Sequence, residues 1–191
     1  EAAAAIVPGT ALVTVMHANN ETGALQPVAE LADLARRTGA LVHTDAAQSI
    51  GKLPVHPREP GVDLLSLAGH KLYAPKGVGA LYVRRGVTIA PFLLGAGHER
   101  GLRPGTENVA SLVGLGVACE LAARDLDATA AAQRRLRDDL WRRLADAIPE
   151  SQLNGHPTLR LPNTLNVRFP RVSGQALLAA PPQIAASTGS A

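Results

Sequence analysis

Two residues with active-site chemistry follow apolar strands in this sequence. The run 62–68 has the composition of a buried strand, and Gly-His-Lys at 69–71 forms the turn after it, so Lys71 lies at the carboxyl end. A second apolar run, 40–44, ends in Asp45, with Gln48 three residues later. Burial favours the neutral amine that forms a Schiff base, and a carboxylate keeps a pyridine nitrogen protonated. The pair predicts a pyridoxal phosphate site.

The elements that must position these residues alternate between strand and helix. We predict strands at 11–16, 40–45, 62–68 and 79–83. Two of the last three are rich in Val and Leu with little alternation, as in a parallel sheet that is buried on both faces. A helix begins near Pro27 and ends at Gly39, and its predicted buried stripe is Leu31, Leu34 and Ala35. Ligands bind beyond the carboxyl ends of parallel strands, where Asp45 and Lys71 lie.

A second block begins in the helical stretch 109–148, which we expect to break near 125–129. The residues that recur every four positions predict its core face: Leu136, Leu140, Leu144 and Ile148. The mixed arginines and aspartates of 134–143 predict a solvated surface, and Trp141 a packing residue. A strand at 164–169 and a helix at 174–179 follow. We place the domain boundary between 1–126 and 127–191.

Composition and charge indicate which partners and which location to expect. The net charge of +3 is small for 191 residues, so we expect no nucleic-acid partner. No apolar stretch approaches the ~20 residues that a membrane span needs, so no membrane partner is expected. The single cysteine, Cys119, excludes an internal disulfide and fits a reducing, cytoplasmic location. Its apolar helical neighbours indicate a small core residue.

Five motifs give the sequence a specific resemblance. They are MHANNETG at 16–23, HTDAAQS at 43–49, GHKLYAPKG at 69–77, GHERGLRPGT at 97–106 and STGSA at 187–191. In this order they resemble the cysteine desulfurases, in the class V aminotransferase group of fold-type I pyridoxal phosphate enzymes. The resemblance implies an α/β fold in which helices sandwich a mostly parallel sheet, followed by the start of a smaller α+β C-terminal domain.

The resemblance also implies roles for residues at the strand ends. Lys71 would be the catalytic lysine that holds the cofactor aldehyde, and Asp45 would bind the ring nitrogen. Asn20 and Gln48 match positions that hydrogen-bond the ring oxygen or the substrate. His70 matches a residue near the cofactor phosphate. Asp45 could instead cap the following segment, and Asn20 and Gln48 could be turn-forming residues.

The phosphate end of the implied site has two distinctive positions. Thr106 matches a residue that reaches the phosphate of a neighbouring subunit, which implies a homodimer, although a Gly-Thr helix start is an alternative reading. Ala68 stands where the family usually has a serine that donates to the phosphate, and rescue by Ser66 is doubtful because it lies one step deeper in the strand. A metal trio of His43, Asp45 and His70 has arbitrary spacing, so no metal is expected.

The activity implied by the resemblance converts L-cysteine to L-alanine and leaves the sulfur as an enzyme persulfide. A sulfur-acceptor or iron–sulfur scaffold protein would then be the partner. The family's chains are longer, and their nucleophilic cysteine follows the position of Ala191, so we expect the 191-residue chain alone to be an inactive fragment. The alternatives are a selenocysteine lyase, a small-molecule aminotransferase, or a non-catalytic remnant that acts only through protein contacts.

Overall fold

Four strands form one sheet in the computed structural model, which describes residues 2–58, 61–180 and 183–189. They are β1 Leu12–Met16, β2 Leu41–Asp45, β3 Leu64–Ala68 and β4 Gly79–Val83. The order is β1-β2-β3-β4, with the first three strands parallel and β4 antiparallel to β3. The connection 69–78 is too short for a parallel crossover, so β4 returns antiparallel. The predicted mostly parallel sheet is confirmed.

The remaining elements follow the predicted order. The helices are α1 Ala2–Ala5, α2 Val28–Thr38, α3 Val109–Arg124, α4 Leu126–Ala147 and α5 Gly174–Ala179. Two short strands, β5 Gln152–Leu153 and β6 Val167–Arg168, pair antiparallel, and 3-10 turns span Gly69–Leu72 and Glu99–Gly101. The helical stretch breaks at Asp125, as expected, while the domain boundary stays a prediction. The last two residues of the fifth motif, Ser190 and Ala191, lie outside the described residues.

Helix α2 covers one face of the sheet. It begins after Pro27 and ends at Gly39, whose positive φ of 76° places its N–H against the last carbonyls of the helix. Its buried residues are Val28, Ala32 and Ala35. The predicted stripe was therefore right for Ala35 and wrong for Leu31 and Leu34, which are only half-buried. The small alanines allow the helix to pack closely against the core residues of the strands, Val42 and Leu65 among them.

The first two strands are each more buried on one face than on the other, whereas the sequence predicted two strands of the sheet buried on both faces. Val42 and Thr44 of β2 are buried on the side of α2, while Leu41, His43 and Asp45 on the opposite side are more exposed. Strand β1 alternates in the same way, and its Leu12 and Met16 are 46% and 40% exposed. The alternation follows from the pleat of a strand, since α2 packs against only one of its faces.

The predicted core face of α4 is wrong for the described chain. Helix α4 buries none of its residues, and Leu136 and Leu140 are 65% and 51% exposed. The side chain of Arg137, which the charge pattern assigned to the solvated surface, is instead only 8% exposed. It turns inward because its Nη1 donates to the carbonyl of Leu161 at 2.6 Å. Trp141 is half-buried, in agreement with a packing role.

A buried carboxylate ties three strands together at their end opposite to Lys71. Asp63 is 7% exposed and immediately precedes β3. Its Oδ2 accepts the N–H of Val42 at 2.8 Å, and its Oδ1 accepts Nε and Nη2 of Arg84 at 2.7 and 2.6 Å. Hydrogen bonds to a charged group contribute more than neutral ones, so Asp63 stabilises the sheet on which the strand ends are arranged.

We expect Asp63→Ala to lower the free energy of unfolding of the whole protein by about 2–3 kcal/mol, because the Val42 N–H and the Arg84 guanidinium lose their acceptor. Urea denaturation measures the change. The matched control is Asp33→Ala, which removes an ion pair with Arg36 in which both side chains are 63% exposed. That control should change stability by less than about 0.5 kcal/mol. Equal losses in the two variants would contradict the assignment.

None of the helices within the described ranges is both long and apolar enough to span a membrane.

Candidate functional site

Asp45 and Lys71 lie at the same edge of the sheet. Asp45 is the last residue of β2 and pairs with Ser66 of the adjacent parallel strand β3. Lys71 lies three residues beyond the end of β3, in the 3-10 turn Gly69–Leu72. Asp45 is exposed and Lys71 is half-buried. The structure therefore places the predicted carboxylate and amine at the carboxyl ends of two neighbouring strands.

Close backbone packing holds the lysine turn against β4. The N–H of Gly69 donates to the carbonyl of Val78 at 2.8 Å, and a Cβ on Gly69 would come within 2.7 Å of that oxygen. A Cβ on Gly79 would lie 2.5 Å from the carbonyl oxygen of Leu67. Tyr73 ends the turn in the left-handed region, with φ of 63°. Sequence reasoning gave these two glycines no role, although both stand within or beside the Gly-His-Lys motif.

We expect Gly69→Ala to destabilise the whole protein by about 1–3 kcal/mol, because the added methyl group has to displace a backbone carbonyl. The movement should also reduce activity, since Lys71 shares the turn. Thermal unfolding and turnover measure the two effects. Gly97→Ala is the control, because a Cβ there meets nothing within 4 Å. A Gly69 variant as stable as the control would show that the turn can accommodate the added methyl group, contrary to this prediction.

The lysine turn is anchored by an apolar cluster on α3. Leu72 and Ala74 pack with Leu115 and Ala118, all of them buried. Cys119 is partly buried against the same cluster, as expected for a small core residue. The side chain next to Lys71 is thus fixed in the interior, which restricts where the lysine amine can reach.

A second lysine shares this edge. Lys52 follows the turn after β2, and burial together with the positive charge of Lys71 lowers the pKa of its amine. A nearby cation disfavours protonation of an amine, as does removal from water. The spacing of the two lysines in the sequence did not indicate this influence of Lys71 on Lys52.

The turn after β2 is organised by Asp45 itself. Its Oδ1 accepts the N–H of Ala47 at 2.8 Å, and the N–H of Ala46 donates to the carbonyl of Ser66 at 2.9 Å. The segment that follows is a turn and not a helix, so Asp45 caps a turn. This contact uses one carboxylate oxygen, and it is compatible with a second role for the other. Gln48 is half-buried in the same turn.

His17 joins the loop after β1 to this turn. Its backbone N–H donates to the carbonyl of Asp45 at 2.8 Å, and its Nδ1 is hydrogen-bonded to Oγ of the fully buried Ser49, also at 2.8 Å. Burial lowers the pKa of His17, which favours the neutral imidazole. Sequence reasoning quoted both residues within motifs but gave neither of them this bracing role.

The two neighbouring asparagines of the β1 loop differ in their surroundings. Oδ1 of Asn19 accepts the N–H groups of Glu21 and Thr22 at 3.0 and 2.8 Å and the Thr22 hydroxyl at 3.1 Å. Asn19 is therefore the turn-forming residue. Asn20, the candidate binding residue, is exposed beside it in the loop, four residues beyond the end of β1.

The residues that the resemblance implies for a phosphate site are less complete in the described chain. Ala68 ends β3 and has no hydroxyl group, and Oγ of Ser66 is already bonded to Nε2 of His43 at 3.0 Å, which supports the view that Ser66 does not replace the missing serine. His70 is exposed in the lysine turn. Thr106 lies in an exposed stretch ahead of α3 and not at a strand end. Asn20, Asp45, Gln48, His70 and Lys71 all stand at or after the carboxyl ends of the adjacent parallel strands β1, β2 and β3, whereas Thr106 precedes α3.

The side chain of His43 makes two polar contacts across the sheet. Besides Ser66, it is hydrogen-bonded through Nδ1 to Oγ1 of Thr14 at 2.7 Å. Within the ranges that the structure describes, no three His, Cys, Asp or Glu side chains are grouped so as to hold a metal ion.

The chain is similar in sequence and in fold to known proteins. The model of the family "Aminotransferase class-V" matches residues 1–191. A cysteine desulfurase of Gluconacetobacter diazotrophicus is 50% identical over 189 residues, which are 98% of this chain and 47% of that protein. The solved structure of a NifS-like protein superposes with a TM-score of 0.86 at 39% identity, over 93% of this chain and 49% of that one.

A third similar protein has been solved with a ligand. The structure titled "SspA in complex with cysteine" is 47% identical, with a TM-score of 0.59 over 62% of this chain and 35% of that one. The chain spans about half the length of the curated relatives it matches. The family and the fold are thus shared by the matched region.

Proposed function

The chain belongs to the class V aminotransferase family, and from this premise we propose that the whole protein is a pyridoxal phosphate-dependent cysteine desulfurase. The observation that carries the proposal is the placement of Asp45 and Lys71 at adjacent carboxyl ends of parallel strands. Similarity to cysteine desulfurases over 98–100% of the chain supports the choice within the family.

The residues present fit the ring end of pyridoxal phosphate. An anionic carboxylate, an amide and an amine stand at one sheet edge, and these are the groups that a protonated ring nitrogen, a ring oxygen and an aldehyde require. Asp45 would hold the proton on the ring nitrogen, Asn20 and Gln48 would bind the ring oxygen or the substrate, and Lys71 would bind the aldehyde carbon. When bound, the cofactor supplies an electron sink.

The phosphate end is assigned to other residues of the chain. His70, in the lysine turn, would approach the phosphate from the same subunit. Thr106 would reach the phosphate of a neighbouring subunit, and its exposed position away from the strand ends is compatible with such a reach. The enzyme would then be a homodimer. Ala68 offers no hydroxyl, which would weaken phosphate binding by about 1.5–3 kcal/mol relative to a donor there.

Lys71 would have a second task, which is proton transfer at the substrate. Its amine lies in the half-buried turn and would take and return a proton there. The rigid packing of Leu72 against α3 keeps that amine at the strand end. A positioned proton-transfer group of this kind accelerates reactions by about 10²–10⁴-fold.

The proposed substrate is L-cysteine. The structure of the similar protein SspA with cysteine supports this choice. The carbon–sulfur bond of the substrate breaks, its sulfur passes to a thiolate of the enzyme as a persulfide, and the carbon skeleton takes up a proton to become L-alanine. Cys119 is partly buried against the α3 cluster and is not proposed as the sulfur carrier. A cytoplasmic sulfur-acceptor or iron–sulfur scaffold protein is the proposed partner.

The test is a product balance on the whole protein. Purified protein is incubated with pyridoxal phosphate, L-cysteine and a thiol reductant, and alanine and sulfide are measured together. A desulfurase releases the two in equal amounts, and the Lys71→Ala variant releases neither. A keto acid formed without sulfide would instead identify an aminotransferase and overturn the proposal.

A further inference from the structure

A segment of the second block lies against the loop that carries Asn20. Residues 154–166 contact the loop 19–25 through two backbone hydrogen bonds, from Leu25 N–H to the Leu159 carbonyl at 3.0 Å and from Leu161 N–H to the Gly23 carbonyl at 2.9 Å. Ala24 and Arg160 form a β-bridge at the centre of this contact. The contact joins parts of the chain that lie more than a hundred residues apart, so it is a purely tertiary arrangement.

Arg160 is the buried centre of this contact. Only 5% of the residue is exposed, and its Nη2 donates to the backbone carbonyl of Thr22 at 2.7 Å and also to the carbonyl of Asn154. Both acceptors are neutral. Burial, together with the positive charge of Arg137, lowers the pKa of this guanidinium. Burying a cation against neutral carbonyls costs free energy. Locally, the guanidinium of Arg160 holds the carbonyls of Thr22 and Asn154 in place.

The surrounding packing leaves the loop little room to move. A Cβ on Gly155 would lie 2.8 Å from Cβ of Thr22, and one on Gly23 would lie 2.8 Å from Cβ of Thr164. The side chain of Asn166 donates to the Glu21 carbonyl at 3.2 Å. Helix α4 joins the same contact, since Arg137 donates to the Leu161 carbonyl.

Asn20 lies in a stretch of backbone that is held by contacts on both sides. On one side, Asn19 holds the N–H groups of Glu21 and Thr22. On the other side, Arg160 holds the carbonyl of Thr22, two residues after Asn20. The backbone that presents the Asn20 side chain is therefore fixed partly by residues 154–166 and not by the β1 loop alone.

We propose that Arg160 is a positioning residue that fixes the Asn20 loop in its binding geometry and so couples the second block to the strand-end site. The part of this proposal that concerns binding rests on the proposed function. Arg160 touches neither cofactor nor substrate in this assignment, and it acts through the backbone of Thr22. Removing the guanidinium loosens the loop while the sheet and the lysine turn remain in place.

The first arm of the test is hydrogen–deuterium exchange on the cofactor-free whole protein. Arg160→Gln is expected to speed exchange in the peptide 19–25 by about tenfold or more, because local opening becomes easier. Arg168→Gln is the matched control, since Arg168 is exposed and its guanidinium bonds Gln152 within the β5–β6 hairpin. Unchanged exchange in 19–25, or equal exchange in both variants, overturns the proposal. If Arg160→Gln does not fold, Arg160→Lys is judged by the same criterion.

The second arm measures the dissociation constant of pyridoxal phosphate and the KM for L-cysteine. Arg160→Gln should raise at least one of them severalfold, and should add nothing further in an Asn20→Ala background. If the effects of Arg160→Gln and Asn20→Ala on binding are additive, Arg160 does not act through Asn20 and the proposal is overturned. An Asn20→Ala variant with normal binding refutes the binding role of Asn20 and with it this coupling, while the exchange result still decides whether Arg160 braces the loop. Absence of desulfurase activity in the unmutated protein counts against the proposed function alone, because the exchange and cofactor measurements do not need turnover.

Discussion

Replacement of Lys71 by alanine is expected to reduce desulfurase turnover of the whole protein by about 10⁴-fold, the upper end of what positioned proton transfer contributes. The amine is assigned two tasks, binding of the aldehyde and transfer of a proton, and no other lysine occupies the turn after β3. Steady-state assays of alanine release measure the loss. Folding should be retained, because the anchoring contacts of this turn are made by Leu72 and Ala74 and not by the lysine side chain.

Borohydride reduction of the cofactor-loaded protein identifies the attachment site directly. The label should be recovered on Lys71 by peptide mapping. Lys52 is the informative competitor, since burial and the positive charge of Lys71 lower the pKa of its amine and so make the neutral, reactive form more abundant. Lys76, which is exposed five residues further along, is the second competitor. Recovery of the label on Lys52 or Lys76 would refute the assignment of Lys71.

Replacement of Asp45 separates its two roles by choice of side chain. Asp45→Asn keeps an oxygen that accepts the Ala47 N–H but removes the negative charge, whereas Asp45→Ala removes both. If the charge keeps the ring nitrogen protonated, both variants should lose turnover by about 10²–10³-fold, the range seen when a preorganised electrostatic contact is removed. Cofactor can still bind to both, because Lys71 remains.

Stability measurements complete the comparison of the Asp45 variants. Asp45→Asn should unfold at nearly the temperature of the unmutated protein, while Asp45→Ala should lose about 1 kcal/mol through the missing cap of the turn. Near-normal turnover in Asp45→Asn would show that the aspartate is structural. The asparagine variant thus distinguishes the electrostatic role from the capping role, which the sequence left open.

Local pattern was sufficient to predict the elements that carry the site. The helix that ends at Gly39, the helical break at Asp125 and the helix Gly174–Ala179 all stand where the sequence predicts them. Such features depend on residues a few positions apart, because capping and helical periodicity act over one or two turns. The strand-end positions of Asp45 and Lys71 follow in the same way from two short apolar runs and the turns after them.

Local pattern could not predict which elements and side chains pack against one another in the fold. The apolar row of α4 predicts a buried face, yet Leu136 and Leu140 are exposed while the side chain of Arg137 is only 8% exposed, because the segment 154–166 meets the helix on its arginine side. The burial of Arg160 and the His17–Ser49 brace likewise join residues whose separation in sequence says nothing about their distance in space.

By itself, then, the sequence determined the order of strands and helices and placed an amine and a carboxylate at the ends of two strands. Only the tertiary structure decided which faces are covered and which side chains hold the site loops in register. The physical reason is that periodicity shows that an element has an apolar face without showing which other element covers it. The contact of residues 154–166 with the Asn20 loop 19–25 therefore depends on the tertiary structure alone.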